Sequence, residues 1–68
     1  MLERELDRAN ADAIERVKQA GRWTVTDKVR AIEDKLNKLY WDALNGDCTP
    51  ERYRAALGEW VKAGTVQP

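Results

Sequence analysis

Between Val25 and Asn45 the sequence VTDKVRAIEDKLNKLYWDALN sets apolar residues at Val25, Val29, Ile32, Leu36, Leu39 and Ala43. The steps alternate between four and three residues, the seam of an α-helix that packs lengthwise against other helices. About twenty residues at the helical rise make a rod of roughly 30 Å, long for a chain of 68 residues. The rest of the chain is expected to dock on it. Toward its end the seam broadens, because Tyr40 and Leu44 join Leu36, Leu39 and Ala43, and a stripe that wide can touch two partners.

A shorter amphipathic pattern lies on either side. Leu2, Leu6, Ala9, Ala13, Val17 and Ala20 put one narrow stripe on a first helix, with Ile14 widening one edge. Half of that stripe is alanine, which buries little area but lets a neighbouring backbone come close, so this helix is expected to lie tight against the second helix or against its own copy. Opposite charges at helical spacing, Arg4 with Asp7, Glu5 with Arg8, Asp12 with Arg16 and Glu15 with Lys18, mark its wet side. After the central rod, Tyr53, Ala56, Leu57, Trp60 and Val61 share one face of a third helix, interrupted by Gly58.

The connections carry recognisable stop and start chemistry. Gly21 supplies the left-handed residue that ends a first helix, and either Thr24 or Thr26 caps the second. Trp23, just before the cap, reads as a hydrophobic plug over the end of the bundle. A connection this short makes the first two helices antiparallel neighbours. Asn45 and Gly46 stop the central helix. Thr49 is an N-cap, Pro50 takes the first helical position where its missing N–H costs nothing, and Glu51 adds acid to the first turn. Cys48 and Tyr53 flank that cap at the spacing of a hydrophobic staple. Gly64 is expected to close the third helix, leaving 65–68 as a frayed tail. The expected architecture is all-α: a small antiparallel three-helix domain spanning 1–68, with helices at about 2–20, 25–45 and 50–63, the last two forming a helical hairpin.

The run from Leu36 to Val61, LNKLYWDALNGDCTPERYRAALGEWV, resembles the helical hairpin of SHOCT-type modules and of the coiled-coil region of large serine recombinases. In those hairpins a Gly ends the first helix, an apolar residue and Ser or Thr follow, and an acidic turn leads to Phe or Tyr. Gly46, Cys48, Thr49, Glu51 and Tyr53 hold those places here. Pro50 stands where Glu is common, and Arg52 where the capping-box acid would sit. The resemblance implies a hairpin used for oligomerisation or docking, and no catalytic residue comes with it.

Composition narrows the function classes. The chain has no His and no Ser, so Ser–His and Cys–His nucleophilic systems cannot be assembled within it. Cys48 is the only cysteine, which excludes an intrachain disulfide and leaves too few ligands for a Cys/His zinc site. Its place in the staple gives it a structural job. The four glycines each stand alone, so no phosphate-cradling loop exists. Glu33 and Asp34 are flanked by Arg30, Lys35 and Lys38 and read as surface ion partners rather than a paired acid and base. The chain is therefore read as not an enzyme, with no cofactor, metal or small-molecule substrate.

Twelve basic and twelve acidic side chains cancel, and they cancel within each third of the sequence too, which argues against phosphate neutralisation as the main business of the surface. The opening MLERELDR alternates charge with leucine and lacks the apolar run of a signal peptide or transmembrane span. No membrane partner is expected, and the expected location is cytoplasmic.

Trp41 breaks the pattern. At 100° per residue it lies about 140° from Leu36, beside Arg30, Asp34 and Asn37 on the polar side of the rod. Either another part of the chain covers it or it anchors an intermolecular contact, a role in which Trp is enriched. The leading expectation is a protein-interaction or oligomerisation module, a small bacterial, plasmid or phage accessory protein, whose candidate interface is Tyr40, Trp41 and Trp60 and whose partner is another protein or a second copy. The alternative is a nucleic-acid accessory factor contacting phosphates through Arg22, Lys28, Arg30, Lys35 and Lys38.

Overall fold

The computed structural model describes residues 2–65, which are helical apart from two connections. The helices are α1 (Leu2–Ala20), α2 (Asp27–Leu44) and α3 (Pro50–Thr65). They run up, down and up, so that α1 and α3 are parallel and α2 is antiparallel to both. None is long and apolar enough to cross a membrane.

Local capping sets the helix bounds. Thr26, in extended conformation, accepts the Val29 N–H on its hydroxyl at 3.2 Å, and this decides between the two threonines. The central helix therefore starts at Asp27, two residues later than the seam implied. Val25 falls outside it and is exposed. At the other end Asn45 is the C-cap rather than a helical residue. Gly46 takes φ +85°, with its N–H on the Ala43 carbonyl at 3.2 Å and the Asp47 N–H on the Asp42 carbonyl at 2.7 Å. That paired closure requires a left-handed residue, which glycine adopts without strain. Thr49 opens α3 by accepting the Arg52 N–H at 3.3 Å. Arg52 has no acceptor to return the bond, so the cap is one-sided. Cys48 is partly buried against the core that contains Tyr53, and its S–H donates to the Thr49 carbonyl at 3.4 Å.

The packing order differs from the expected one. Helix α3, not the longer rod of α2, is the element shared by the whole fold: it packs along both other helices, while α1 and α2 touch each other little. Leu6, Ala9 and Ala13 of α1 and Val29, Ile32, Leu36 and Ala43 of α2 are buried, as are Tyr53, Ala56, Leu57, Val61 and Gly64 of α3. Full burial of Leu6 and Val29 contributes on the order of 1.5–3 kcal/mol each. Ala9 and Ala13 do permit close approach, but to α3: with Leu57 and Gly58 they line one shallow groove. Glu5 follows the same rearrangement, pairing with Arg54 of α3 at 2.9 Å instead of with Arg8 in its own helix. With α3 in the middle, the Cα trace is a slab of 37 × 22 × 13 Å rather than a round bundle.

The end of α3 also departs from expectation. The helix does not stop at Ala63 with Gly64 as its terminator; it continues to Thr65, whose hydroxyl donates to the Val61 carbonyl at 2.7 Å. Gly64 is buried because the Trp23 ring lies on it, and a Cβ built there would fall inside that ring. The Thr24 N–H donates to the Gly64 carbonyl at 2.8 Å, and Trp23 meets Trp60 with ring centroids 4.5 Å apart. The plug expected of Trp23 thus has a defined seat, the last turn of α3. Of the expected frayed tail, Thr65 is helical and 66–68 lie outside the described residues.

Candidate functional site

Separating α1 from α2 leaves a gap along one broad side of the slab. Its walls are Asn10 and Ile14 of α1 and Glu33 and Leu36 of α2, and its floor is Leu57 and Trp60 of α3, enclosing about 370 Å³. The floor and inner walls are apolar, while Asn10 and Glu33 set a polar rim. Glu33 also accepts the Trp60 indole N–H at 3.2 Å, which fixes the ring against the wall. Ile14 is 48 % exposed, because its neighbour across the groove is solvent rather than a helix.

One end of this groove is closed by a polar aromatic cluster. The Tyr53 hydroxyl donates to Asn10 Oδ1 at 2.6 Å, the Tyr40 hydroxyl donates to Asp7 Oδ1 at 3.2 Å, and the two phenol rings meet at 5.8 Å. Burial raises the pKa of the Tyr53 hydroxyl, with the Asn10 bond lowering it and the Asp7 carboxylate raising it. Tyr40 is raised by desolvation and by the negative charges of Asp7 and Glu3. Both phenols therefore stay neutral hydrogen-bond donors that bridge α1 to the other two helices.

Trp41 stands just outside this cluster. Its ring meets the Tyr40 ring edge-on at 5.8 Å, and no helix covers it: the side chain is 57 % exposed. At 100° per residue it lies about 80° round α2 from Glu33 and 140° from Leu36, at the outer edge of α2 rather than on the groove wall.

The three expected interface aromatics are therefore not one cluster. Tyr40 and Trp41 sit together at the C-terminal end of α2. Trp60 sits toward the other end, on the groove floor against Trp23, engaged in the fold. Ile14, exposed, and Leu36, buried at the inner wall, line the groove and are not among the expected contacts. A signal was available for Ile14, a large apolar residue set off the α1 stripe, but nothing in the sequence shows that α2 fails to reach it.

The five basic residues considered for nucleic acid are all exposed but do not converge. Lys28 and Lys35 look onto the opposite broad side, where they flank grooves between α2 and α3 with Arg52 and Lys62, and with Glu59 between them; the groove at Lys28 and Lys62 encloses about 360 Å³, as much as the one between α1 and α2. Arg30, two residues from Lys28 and so about 200° round the helix, belongs to the groove side. Arg22 is in the first connection, and Lys38 points away from both neighbours. Among the described residues no group of three or more His, Cys, Asp or Glu side chains converges. No protein family, curated protein or solved structure matches this chain.

Proposed function

We propose that this chain is a non-catalytic protein-interaction module that docks a partner on the side shared by α1 and α2. The observation that carries the reading is the exposed Trp41 at the outer edge of α2, with an open groove floored by Leu57 and Trp60 farther along the same helix. An amphipathic ring in water beside an unfilled apolar channel with a polar rim is the composition of an interface core and its surround. The resemblance of the α2–α3 hairpin to docking and oligomerisation hairpins points the same way. Trp41 supplies the anchor and the groove supplies apolar area. Truncating Trp41 to alanine is expected to weaken association by more than about 1 kcal/mol, roughly fivefold, while leaving helicity intact.

Photo-cross-linking tests this by face. A cross-linker replacing Asn37, one turn from Trp41, is expected to give protein adducts that disappear with Trp41→Ala. The same group replacing Ala55, exposed on the outer side of α3, is expected to give few. Equal adducts from both positions, or adducts indifferent to Trp41, would refute the proposal.

A second reading rests on the other broad side, where Lys28, Lys35, Arg52 and Lys62 surround Glu59. Four cations around one acid could hold phosphates of a nucleic acid. Such binding falls steeply with added salt, and absence of binding to duplex and single-stranded DNA at low salt eliminates it.

A further inference from the structure

The pair formed by α2 and α3 is closed at both ends, and α1 takes part in neither closure. At one end the turn through Gly46 joins the two helices, with the Gly46 N–H on the Ala43 carbonyl and the Asp47 N–H on the Asp42 carbonyl. At the other end Trp23 lies on Gly64 and meets Trp60, and the Thr24 N–H donates to the Gly64 carbonyl. The connection from α1 is therefore pinned to the last turn of α3 before it enters α2. Only Gly21 and Arg22 lie between that pin and α1, and both are exposed. Gly21 takes φ +74° and a Cβ there would meet nothing within 4 Å, so its backbone turns without steric hindrance.

What seats α1 is narrow by comparison. Leu6 is its one large buried side chain; Ala9 and Ala13 complete the buried set, and Leu2 and Val17 are only partly covered. Helix α2, by contrast, buries Val29, Ile32 and Leu36 besides Ala43. Three polar contacts add to the seat of α1: Glu5 with Arg54, Asp7 with Tyr40 and Asn10 with Tyr53. The first two join exposed groups, whose loss water makes good. These bonds and the buried side chains all fall between Glu5 and Ala13. From Ile14 to Ala20 no residue is buried, and Ile14 is the exposed lip of the groove. A helix held over one stretch leaves its seat in one step, because losing part of that stretch leaves little to hold the rest.

We propose that α1 is a hinged wall of the groove: it leaves α3 as a unit by turning at Gly21 and Arg22, while Trp23 keeps α2 and α3 together. The groove then has one movable wall, carrying Asn10 and Ile14, and a fixed wall and floor, carrying Leu36, Leu57 and Trp60. With α1 away, the sides of Tyr53 and Leu57 turned toward it join the surface open to a partner. The width of the groove is thus set by a docking equilibrium within the chain. The hinge stands on the fold alone, and its bearing on the groove rests on the protein-interaction reading above.

Amide hydrogen exchange of the full chain, read residue by residue by NMR, tests this. Relative to their unstructured rates, amides in the middle of α1 are expected to exchange at least about tenfold faster than those in the middle of α2 and α3, and to gain less rate with added urea because less surface is exposed. Thr26→Ala removes the cap of α2, a helix that stays formed when α1 opens. It is expected to speed exchange in α2 and α3 about fivefold and to leave α1 unchanged. Leu6→Ala is expected to strip protection from α1 while the near-ultraviolet signal of the Trp23–Trp60 pair persists. Equal protection in all three helices overturns the proposal. So does a Thr26→Ala that speeds α1 along with the others, or a Leu6→Ala that loses the tryptophan signal together with α1. None of these results depends on Trp41, so the docking reading is decided separately by cross-linking at Asn37, and either can fail without the other.

Discussion

Gly64→Ala adds one methyl group to a helix, a change that ordinarily stabilises by up to about 1 kcal/mol because alanine is the better helix former. Here the methyl would occupy the space of the Trp23 ring. Trp23 is carried on the connection between α1 and α2, so the ring is expected to lift off rather than compress the core. Lifting it separates the Trp23–Trp60 pair, centroids now 4.5 Å apart, at about 0.5–1.5 kcal/mol beyond area burial. It also strains the Thr24 N–H bond to the Gly64 carbonyl, worth about 1 kcal/mol, and exposes the part of the indole now covered. Against the propensity gain the net is a loss of about 1–2 kcal/mol, within the range for overpacked sites. In a domain of this size that lowers the melting temperature by roughly 5–15 °C. Gly58→Ala is the internal control. It lies in the same helix, and its Cβ would meet nothing within 4 Å, so it is expected to stabilise by about 0.5–1 kcal/mol. Thermal melts at one low protein concentration, with near-ultraviolet circular dichroism reporting the Trp pair, check both. If Gly64→Ala proves as stabilising as Gly58→Ala and the tryptophan signal is unchanged, Trp23 is not seated on α3 and the account of that end of the fold is wrong.

Other outcomes follow from single contacts. Thr26→Ala removes the oxygen that accepts the Val29 N–H and is expected to cost about 1 kcal/mol in chemical denaturation, whereas Thr24→Ala, whose backbone rather than side chain is engaged, should cost much less. Leu6→Ala, at a fully buried position, is expected to cost about 2–5 kcal/mol, enough to leave the isolated chain partly unfolded. Raised phenol pKa values at Tyr40 and Tyr53 mean that the unfolded chain ionises first, near pH 10. Stability from this source is therefore complete below about pH 10 and declines as pH rises through the higher folded values. Tyr53→Phe is expected to flatten that alkaline decline while costing about 1 kcal/mol near neutrality through the lost Asn10 bond, both readable from urea melts across pH.

What could be read from the sequence was what is decided within a few residues. Gly21, Gly46 and the Thr49–Pro50 start act through bonds to their own turn, so their residue types alone announce them. The number, type and approximate bounds of the helices followed. The choice between Thr24 and Thr26 did not, because both satisfy the local rule and the decision belongs to Trp23, whose docking on α3 draws the preceding chain away from helical geometry. Gly64 departs from its local signature for a related reason. A glycine near a helix end has the same local signature whether it terminates the helix or makes room for a ring arriving from forty residues earlier in the chain.

The central place of α3 was hidden by its small residues, and the same fact explains the candidate site. Periodicity weights large side chains and so favours α2, yet a helix that must be touched on two sides gains from Ala56 and Gly64, which let neighbours approach, and from Tyr53 and Trp60, which fill the space between them. Those two rings stand between α1 and α2 and are held by Asn10 and Glu33, one bond to each flanking helix. They keep the outer helices apart on that side, and Ile14 and Leu36 line an open groove instead of closing on each other. Trp41 alone is visible in the sequence as a residue out of register, and the structure leaves it exposed. Only the spacing imposed by α3 opens the groove between Ile14 and Leu36, which no periodicity in the sequence marks.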